Sequence, residues 1–116
     1  MSRGTDAAAV VRHESCVEKL AQIFPQSSPV RIPVQVIAEN GGTRLLQEPT
    51  VIEFGTAHEV LFASSLPLEF ENRIRLVNSD GSFDAQATVI AVRYHGGKKA
   101  VAARFLSDVP SWIIKP

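Results

Sequence analysis

The stretch Phe83–Leu106, FDAQATVIAVRYHGGKKAVAARFL, decides the fold. Its two apolar runs, Phe83–Tyr94 and Ala100–Leu106, have the composition of β-strands. The residues between them include Gly96 and Gly97, and glycine permits the positive φ angles of a tight hairpin turn. The stretch therefore predicts an antiparallel β-hairpin.

Four further strand signals precede this hairpin. They are VRIPVQVIAE (Val30–Glu39), RLLQEPTVIEF (Arg44–Phe54), EVLFAS (Glu59–Ser64) and NRIRLVN (Asn72–Asn78). Apolar and polar residues alternate in the first and last of them, which is typical of strands with one buried face. Asn40-Gly41-Gly42 and Ser79-Asp80-Gly81-Ser82 have the composition of turns.

Two prolines qualify the strand predictions. A proline has no N–H to donate to a neighbouring strand. We therefore expect Pro33 to lie where its strand is at a sheet edge, and Pro49 to mark a bulge or kink. Six strands at short spacing predict a mainly β fold, a small antiparallel barrel over residues 29–116, because closure removes exposed edges.

Residues 1–24 predict an N-terminal amphipathic helix. Thr5 or Asp6 suits the N-cap and Pro25 ends the helical pattern. The apolar stripe at helical spacing comprises Val10, His13, Val17, Leu20, Ala21 and Phe24. Two interpretations stay open for this helix: it covers the open end of the barrel, or it offers Val10, Val17, Leu20 and Phe24 as an interface, either for a protein partner or for self-association.

The charge balance argues against some classes of partner. The 116 residues carry 12 basic and 12 acidic side chains, so the formal net charge is zero. Nonspecific nucleic-acid binding and attraction to anionic lipid both require excess positive charge. The segment at the N-terminus lacks the apolar core of a signal peptide, and no apolar run is long enough to span a bilayer. The sequence thus predicts a cytoplasmic domain.

Motifs for catalysis, metal or cofactor binding are absent from the sequence. His13, His58 and His95 have no Cys, Asp or Glu at metal-ligand spacing, and no phosphate loop or nucleophile elbow occurs. We expect no enzyme activity and no cofactor. Cys16 is expected to be a half-buried helix residue, and Trp112 to be buried rather than an exposed contact.

The order of strand signals from Pro29 onward resembles the PilZ domain, a small bacterial barrel that binds cyclic di-GMP. The likeness rests on VRIPVQV, TVIEFGTAHEVLF, LPLEFENRIRLV and ATVIAVRYHGGKKAVAARFL. It implies a PilZ-like β-barrel in bacterial signalling.

The nucleotide motifs of that family are incomplete in this chain. Its arginine pair is represented by Arg31 alone, because Ser27 stands four residues before it. Glu53, Gly55 and His58 match the family's acidic, serine and glycine positions. Loss of the pair removes charge-assisted phosphate contacts. The resemblance thus implies a signalling adaptor that contacts proteins and binds the nucleotide weakly or not at all.

Two alternatives remain open. The chain is an atypical receptor for cyclic di-GMP or another small ligand, using Arg31, Glu53 and His58. Otherwise it is a barrel for single-stranded nucleic acid, in which Arg73, Arg75, Arg93 and Tyr94 form the binding patch. Only the second alternative predicts binding that weakens steeply with salt.

Overall fold

A computed structural model describes residues 15–40 and 44–116 of the chain. They form a closed barrel of six antiparallel strands, which confirms the predicted fold class. The strands are β1 (Ser28–Asn40), β2 (Arg44–Gly55), β3 (Glu59–Ser64), β4 (Arg73–Val77), β5 (Asp84–His95) and β6 (Lys98–Phe105). Around the barrel they follow the order β1-β2-β3-β6-β5-β4, and β4 closes onto β1.

The glycine turns form where the sequence predicts them. His95 pairs with Lys98, so Gly96 and Gly97 make a two-residue loop, with φ angles of 58° and 84°. Gly81 in the turn between β4 and β5 also has a positive φ, 77°. These angles are strained for residues with a Cβ, which explains why glycine occupies the positions. The predicted turn at 40–42 lies mostly outside the described residues.

The two prolines behave differently. Pro33 lies before the section of β1 that pairs with β4, Gln35–Ala38, so it has a strand neighbour on one side only, as predicted. The prediction of a bulge at Pro49 is wrong, because Pro49 pairs with Gln35 in unbroken register. Pro49 precedes the part of β2 that pairs with β3, which begins at Ile52. A missing N–H is tolerated in a section with one neighbour.

The apolar residues form two layers rather than one core. The barrel interior is filled by side chains from all six strands, Phe62, Ile52, Leu76 and Val101 among them. A second cluster lies outside the wall, where Leu61, Ala100 and Ala102 are fully buried. Since successive side chains in a strand point to opposite faces, β3 and β6 are buried on both faces.

The helix that covers the outer layer is α1, Cys16–Ala21. It is shorter than the predicted helix because Ser15 has extended backbone angles, φ −70° and ψ 160°, and acts as its N-cap. The Ser15 N–H donates to Glu18 Oε1 at 2.7 Å, and the Glu18 N–H donates to Ser15 Oγ at 3.0 Å. This reciprocal capping box satisfies backbone groups at the start of the helix. Val10, His13 and the predicted caps Thr5 and Asp6 lie outside the described residues.

Candidate functional site

Three of the helix residues predicted as an interface, Val17, Leu20 and Phe24, contact the barrel, and the fourth, Val10, lies outside the described residues. Val17 and Leu20 are buried against Leu61, Ala100 and Ala102 on the outer wall, and Phe24 is half-buried in the same cluster. Cys16 packs there too and is half-buried, as expected for a structural cysteine. The helix therefore covers the side of the barrel and not its open end. Val17 and Leu20 are therefore buried by the barrel and are not exposed to a partner.

Arg31 and Glu53 lie near each other at a double irregularity of the wall. The β1–β2 register shifts between Pro29 and Ile32, and the β2–β3 register shifts between Ile52 and Phe54. An extra residue in one strand bends it and re-aims side chains. The irregularity brings Glu53 to the helix, and Ser15 Oγ donates to Glu53 Oε1 at 3.4 Å.

The Glu53 carboxyl has a pKa above its usual value. Partial burial is the main cause, and the nearby carboxylate of Glu18 adds to it. The hydrogen bond from Ser15 and the positive charge of Arg31 act in the opposite direction. Arg31 itself is exposed. Arg31 and Glu53 form no ion pair, so the attraction between them is weak and acts at a longer distance.

Gly55 faces the barrel interior, on the other side of the wall from Glu53. It pairs with the core residue Val60, and a Cβ at position 55 would lie 2.6 Å from Trp112 Cζ2. Trp112 is buried, as predicted, and packs on Phe83 and Phe105 with ring centroids 5.6 and 5.4 Å away. Its Nε1–H donates to the Thr56 carbonyl at 2.8 Å. Position 55 therefore makes room for the indole that closes this end of the barrel.

His58 lies in the turn between β2 and β3. Thr56 Oγ1 accepts hydrogen bonds from the backbone N–H groups of His58 and Glu59, at 3.1 and 2.9 Å. Thr56 Oγ1 also donates to the Glu59 carboxylate, which in turn accepts from Arg104 Nε at 3.1 Å. The turn needs no positive φ at His58, since Glu71 is the one non-glycine residue with a positive φ among those described. A histidine is therefore unstrained where the family motif has glycine.

The side chain of His58 lines a groove at the barrel end, with a volume of about 540 Å³. The C-terminal segment forms most of its walls, and Phe105, Trp112 and Ile114 supply apolar surface. His58, Asp108 and Lys115 add polar groups. A groove of this volume is within the range of small-ligand sites.

The four predicted ligand residues differ in their surroundings. Arg31 and Glu53 lie by the helix on the outer wall, Gly55 faces the interior, and His58 lies in the turn above the C-terminal groove. The motif spacing placed these residues together along the chain. The wall of a barrel separates neighbours in sequence, because alternate side chains point to opposite faces.

The sequence interpretation missed a carboxylate held by two serines. Ser64 Oγ donates to Glu48 Oε1 at 2.7 Å, and the Ser65 N–H donates to both carboxylate oxygens at 3.0 and 3.1 Å. The Ser65 hydroxyl donates as well. Burial opposes ionisation of Glu48, but these hydrogen bonds outweigh it and lower the pKa. The adjacent serines before Leu66 were the available signal, since such side chains satisfy groups in loops.

The arginines proposed for nucleic-acid contact are not equivalent. Arg75 is already paired, since its Nε and Nη2 donate to the two Asp84 oxygens at 2.8 and 2.6 Å. Arg73 pairs with Thr88 across the β4–β5 ladder, whereas Arg93 and Tyr94 lie further along β5. At about 3.3 Å per residue, Arg93 is roughly 16 Å from Thr88 along the strand. These residues form separate patches rather than one groove.

Within residues 15–40 and 44–116, no group of three or more His, Cys, Asp and Glu side chains is arranged to hold a metal ion. The same residues include no helix long and apolar enough to cross a membrane. The chain matches no protein-family model, and no curated protein is significantly similar to it in sequence.

Proposed function

We propose that this chain is a PilZ-like signalling or adaptor domain of bacterial cyclic di-GMP-related regulation. In this proposal it is cytoplasmic and non-catalytic, acts through contacts with other proteins, and binds the nucleotide weakly or not at all. The six-stranded closed barrel is compatible with the resemblance described above. The comparisons with known proteins add nothing to it.

One observation carries the proposal: two of the four residues matching the nucleotide motif, Glu53 and Gly55, already make structural contacts. Gly55 is in contact with Trp112, and Glu53 accepts a hydrogen bond from Ser15. Arg31 remains as a single exposed cation. Recognition of a phosphate usually draws on several charge-assisted hydrogen bonds at once, and one arginine supplies few.

The direct test is a titration of the whole chain with cyclic di-GMP. Trp112 is a suitable reporter because it is buried against Gly55, and Gly55 belongs to the segment that matches the motif. We expect neither saturable fluorescence change nor saturable heat below about 1 mM nucleotide, which corresponds to less than about 4 kcal/mol of binding free energy. Single-stranded oligonucleotides serve as a second ligand, and binding that weakens steeply with salt would favour the nucleic-acid alternative.

Arg31→Ala and Arg93→Ala form the matched pair of variants. Both side chains are exposed, but only Arg31 belongs to the motif. Micromolar affinity that disappears in Arg31→Ala and persists in Arg93→Ala would contradict the proposal. The chain would then be the atypical receptor, with Arg31 as the phosphate contact.

A further inference from the structure

An exposed aromatic residue lies on the loop between β3 and β4. Phe70 is 64% exposed, and the neighbouring Glu69 and Glu71 are also exposed. We call residues 69–72 the Phe70 loop. Phenylalanine side chains are usually buried. An exposed phenylalanine flanked by carboxylates is therefore a candidate contact residue.

Hydrogen bonds hold this loop in one conformation. The Glu71 N–H donates to the Val89 carbonyl at 2.8 Å, and the Val89 N–H donates to the Asn72 carbonyl at 2.9 Å. Asn72 Oδ1 accepts from the Glu69 N–H at 2.8 Å. A contact residue on a fixed loop loses little conformational freedom when it binds.

A groove with opposite charge lies beside the loop on the outer wall. It has a volume of about 320 Å³, and we call it the arginine groove; its lining residues are Ile37, Leu45, Arg73, Ile74, Arg75 and Gln86. Leu45 is 61% exposed and Ile37 is half-buried, so the groove offers apolar surface to an incoming side chain. Arg75 is bound to Asp84, whereas Arg73 has no ion pair within the described part of the chain.

We infer that the Phe70 loop of one molecule docks into the arginine groove of a second copy of this chain. In that contact Phe70 lies on Ile37 and Leu45, and Glu71 pairs with Arg73 of the other copy. This inference deepens the proposed function: it rests on the claim that the domain acts through protein contacts, and it identifies the partner as another copy of the chain.

The position of loop and groove favours a second copy over an unrelated partner. Phe70 and Arg73 are three residues apart, so one surface carries both the projecting aromatic residue and its complementary groove. A two-fold dimer requires such self-complementarity, because residue i meets residue j while j meets i. The zero net charge of the chain means that two copies do not repel each other at long range.

The first test measures the mass of the full chain by analytical ultracentrifugation, from about 1 µM to about 1 mM, the range of weak homodimers. We expect a reversible monomer–dimer equilibrium. Phe70→Ala should weaken the association at least about tenfold, as expected for an aromatic hot spot. Tyr94→Ala is the matched control, because Tyr94 is 70% exposed elsewhere, and it should leave the association unchanged.

The second test exchanges charges. Glu71→Arg and Arg73→Glu should each weaken self-association at least about tenfold, because like charges then face each other across the two-fold axis. A mixture of these two variants should form a heterodimer, and the double variant should recover the original association. Circular dichroism checks that each variant is folded.

Three results would overturn the inference: a monomer throughout the concentration range, a dimer insensitive to Phe70→Ala, or single-charge variants that fail to complement each other. None of them bears on the nucleotide. A monomer that ignores cyclic di-GMP would contradict the inference and leave the proposed function standing. Tight cyclic di-GMP binding would contradict the proposed function whatever the oligomeric state.

Discussion

Gly55 has the most restrictive environment of the described glycines. A Cβ added there would meet Trp112 Cζ2 at 2.6 Å, closer than two carbon atoms can approach without displacement. We predict that Gly55→Ala destabilises the fold by about 1–3 kcal/mol, the usual cost of overpacking, and alters the tryptophan emission. Thermal denaturation followed by fluorescence measures both effects.

Gly96→Ala is the control for that prediction. An added Cβ at Gly96 meets nothing within 4 Å, but its φ of 58° strains alanine. It should cost about 1 kcal/mol through the backbone alone and leave the emission unchanged. Equal emission changes in the two variants would argue against a specific packing contact between Gly55 and Trp112.

Two carboxylates on β2 respond to pH in opposite directions. The raised pKa of Glu53, caused first by burial, means that the folded state holds its proton more tightly than the unfolded chain. Its contribution to stability therefore falls as pH rises from about 4.5 through the raised pKa. The lowered pKa of Glu48 has the reverse effect, and its contribution is lost as pH falls below about 4.5.

We therefore predict opposite effects for two isosteric variants at pH 7. Glu53→Gln should stabilise the protein by less than about 1 kcal/mol, since it removes a partly buried charge and its repulsion from Glu18 at a site that water still screens. Glu48→Gln should destabilise it by about 1 kcal/mol, because the amide nitrogen cannot accept the serine hydrogen bonds. Urea denaturation at several pH values measures both, and effects of the same sign would contradict the assignment.

Among the elements, α1 gains its stability from the barrel wall. Leu20 is 2% exposed in the outer cluster, whereas Ile23 just beyond the helix is 63% exposed. We predict that Leu20→Ala lowers the free energy of unfolding by about 2–3 kcal/mol, and that Ile23→Ala changes it by less than about 0.5 kcal/mol. Chemical denaturation distinguishes the two. A small loss in Leu20→Ala would mean that the helix detaches readily and is free to bind a partner.

The strands were predictable from the sequence because their signals are local. Alternation in Arg73–Val77 and the glycines at 96 and 97 require no knowledge of the rest of the chain. The start of the helix was not predicted correctly. The apolar stripe extends to residues before Ser15, but the Ser15 hydroxyl caps the helix there. The sequence analysis did not predict that β3 and β6 are buried on both faces, and no local signal shows which element covers the outer one.

The site was less predictable because its contacts are distant in sequence. Nothing near Gly55 shows that Trp112 packs against it, or that Ser15 reaches Glu53. The two register shifts that re-aim Glu53 leave no signal in the residue pattern. Matching a motif by spacing assumes that its residues point to the same face of the strand. A bulge changes the direction of side chains, so this assumption fails here.

At the scale of the whole molecule, the barrel is closed by the pairing of β1 with β4, which has fewer residue pairs than any other pairing except β2 with β3. Four residue pairs, from Gln35 with Val77 to Ala38 with Ile74, join β1 to β4. The hairpins β1–β2 and β5–β6 connect neighbours in sequence, whereas this seam joins strands separated by two others along the chain.

The β1–β4 seam and the β3–β6 ladder join strands that are distant in sequence, and we expect both to form after the hairpins. Loop-closure entropy must be lost before contacts between distant strands are gained, so hairpins form first and closure comes late. Chains dominated by such distant pairings fold in milliseconds to seconds rather than microseconds. A chain in which this seam is open exposes the edges of β1 and β4, and exposed strand edges can pair with another chain.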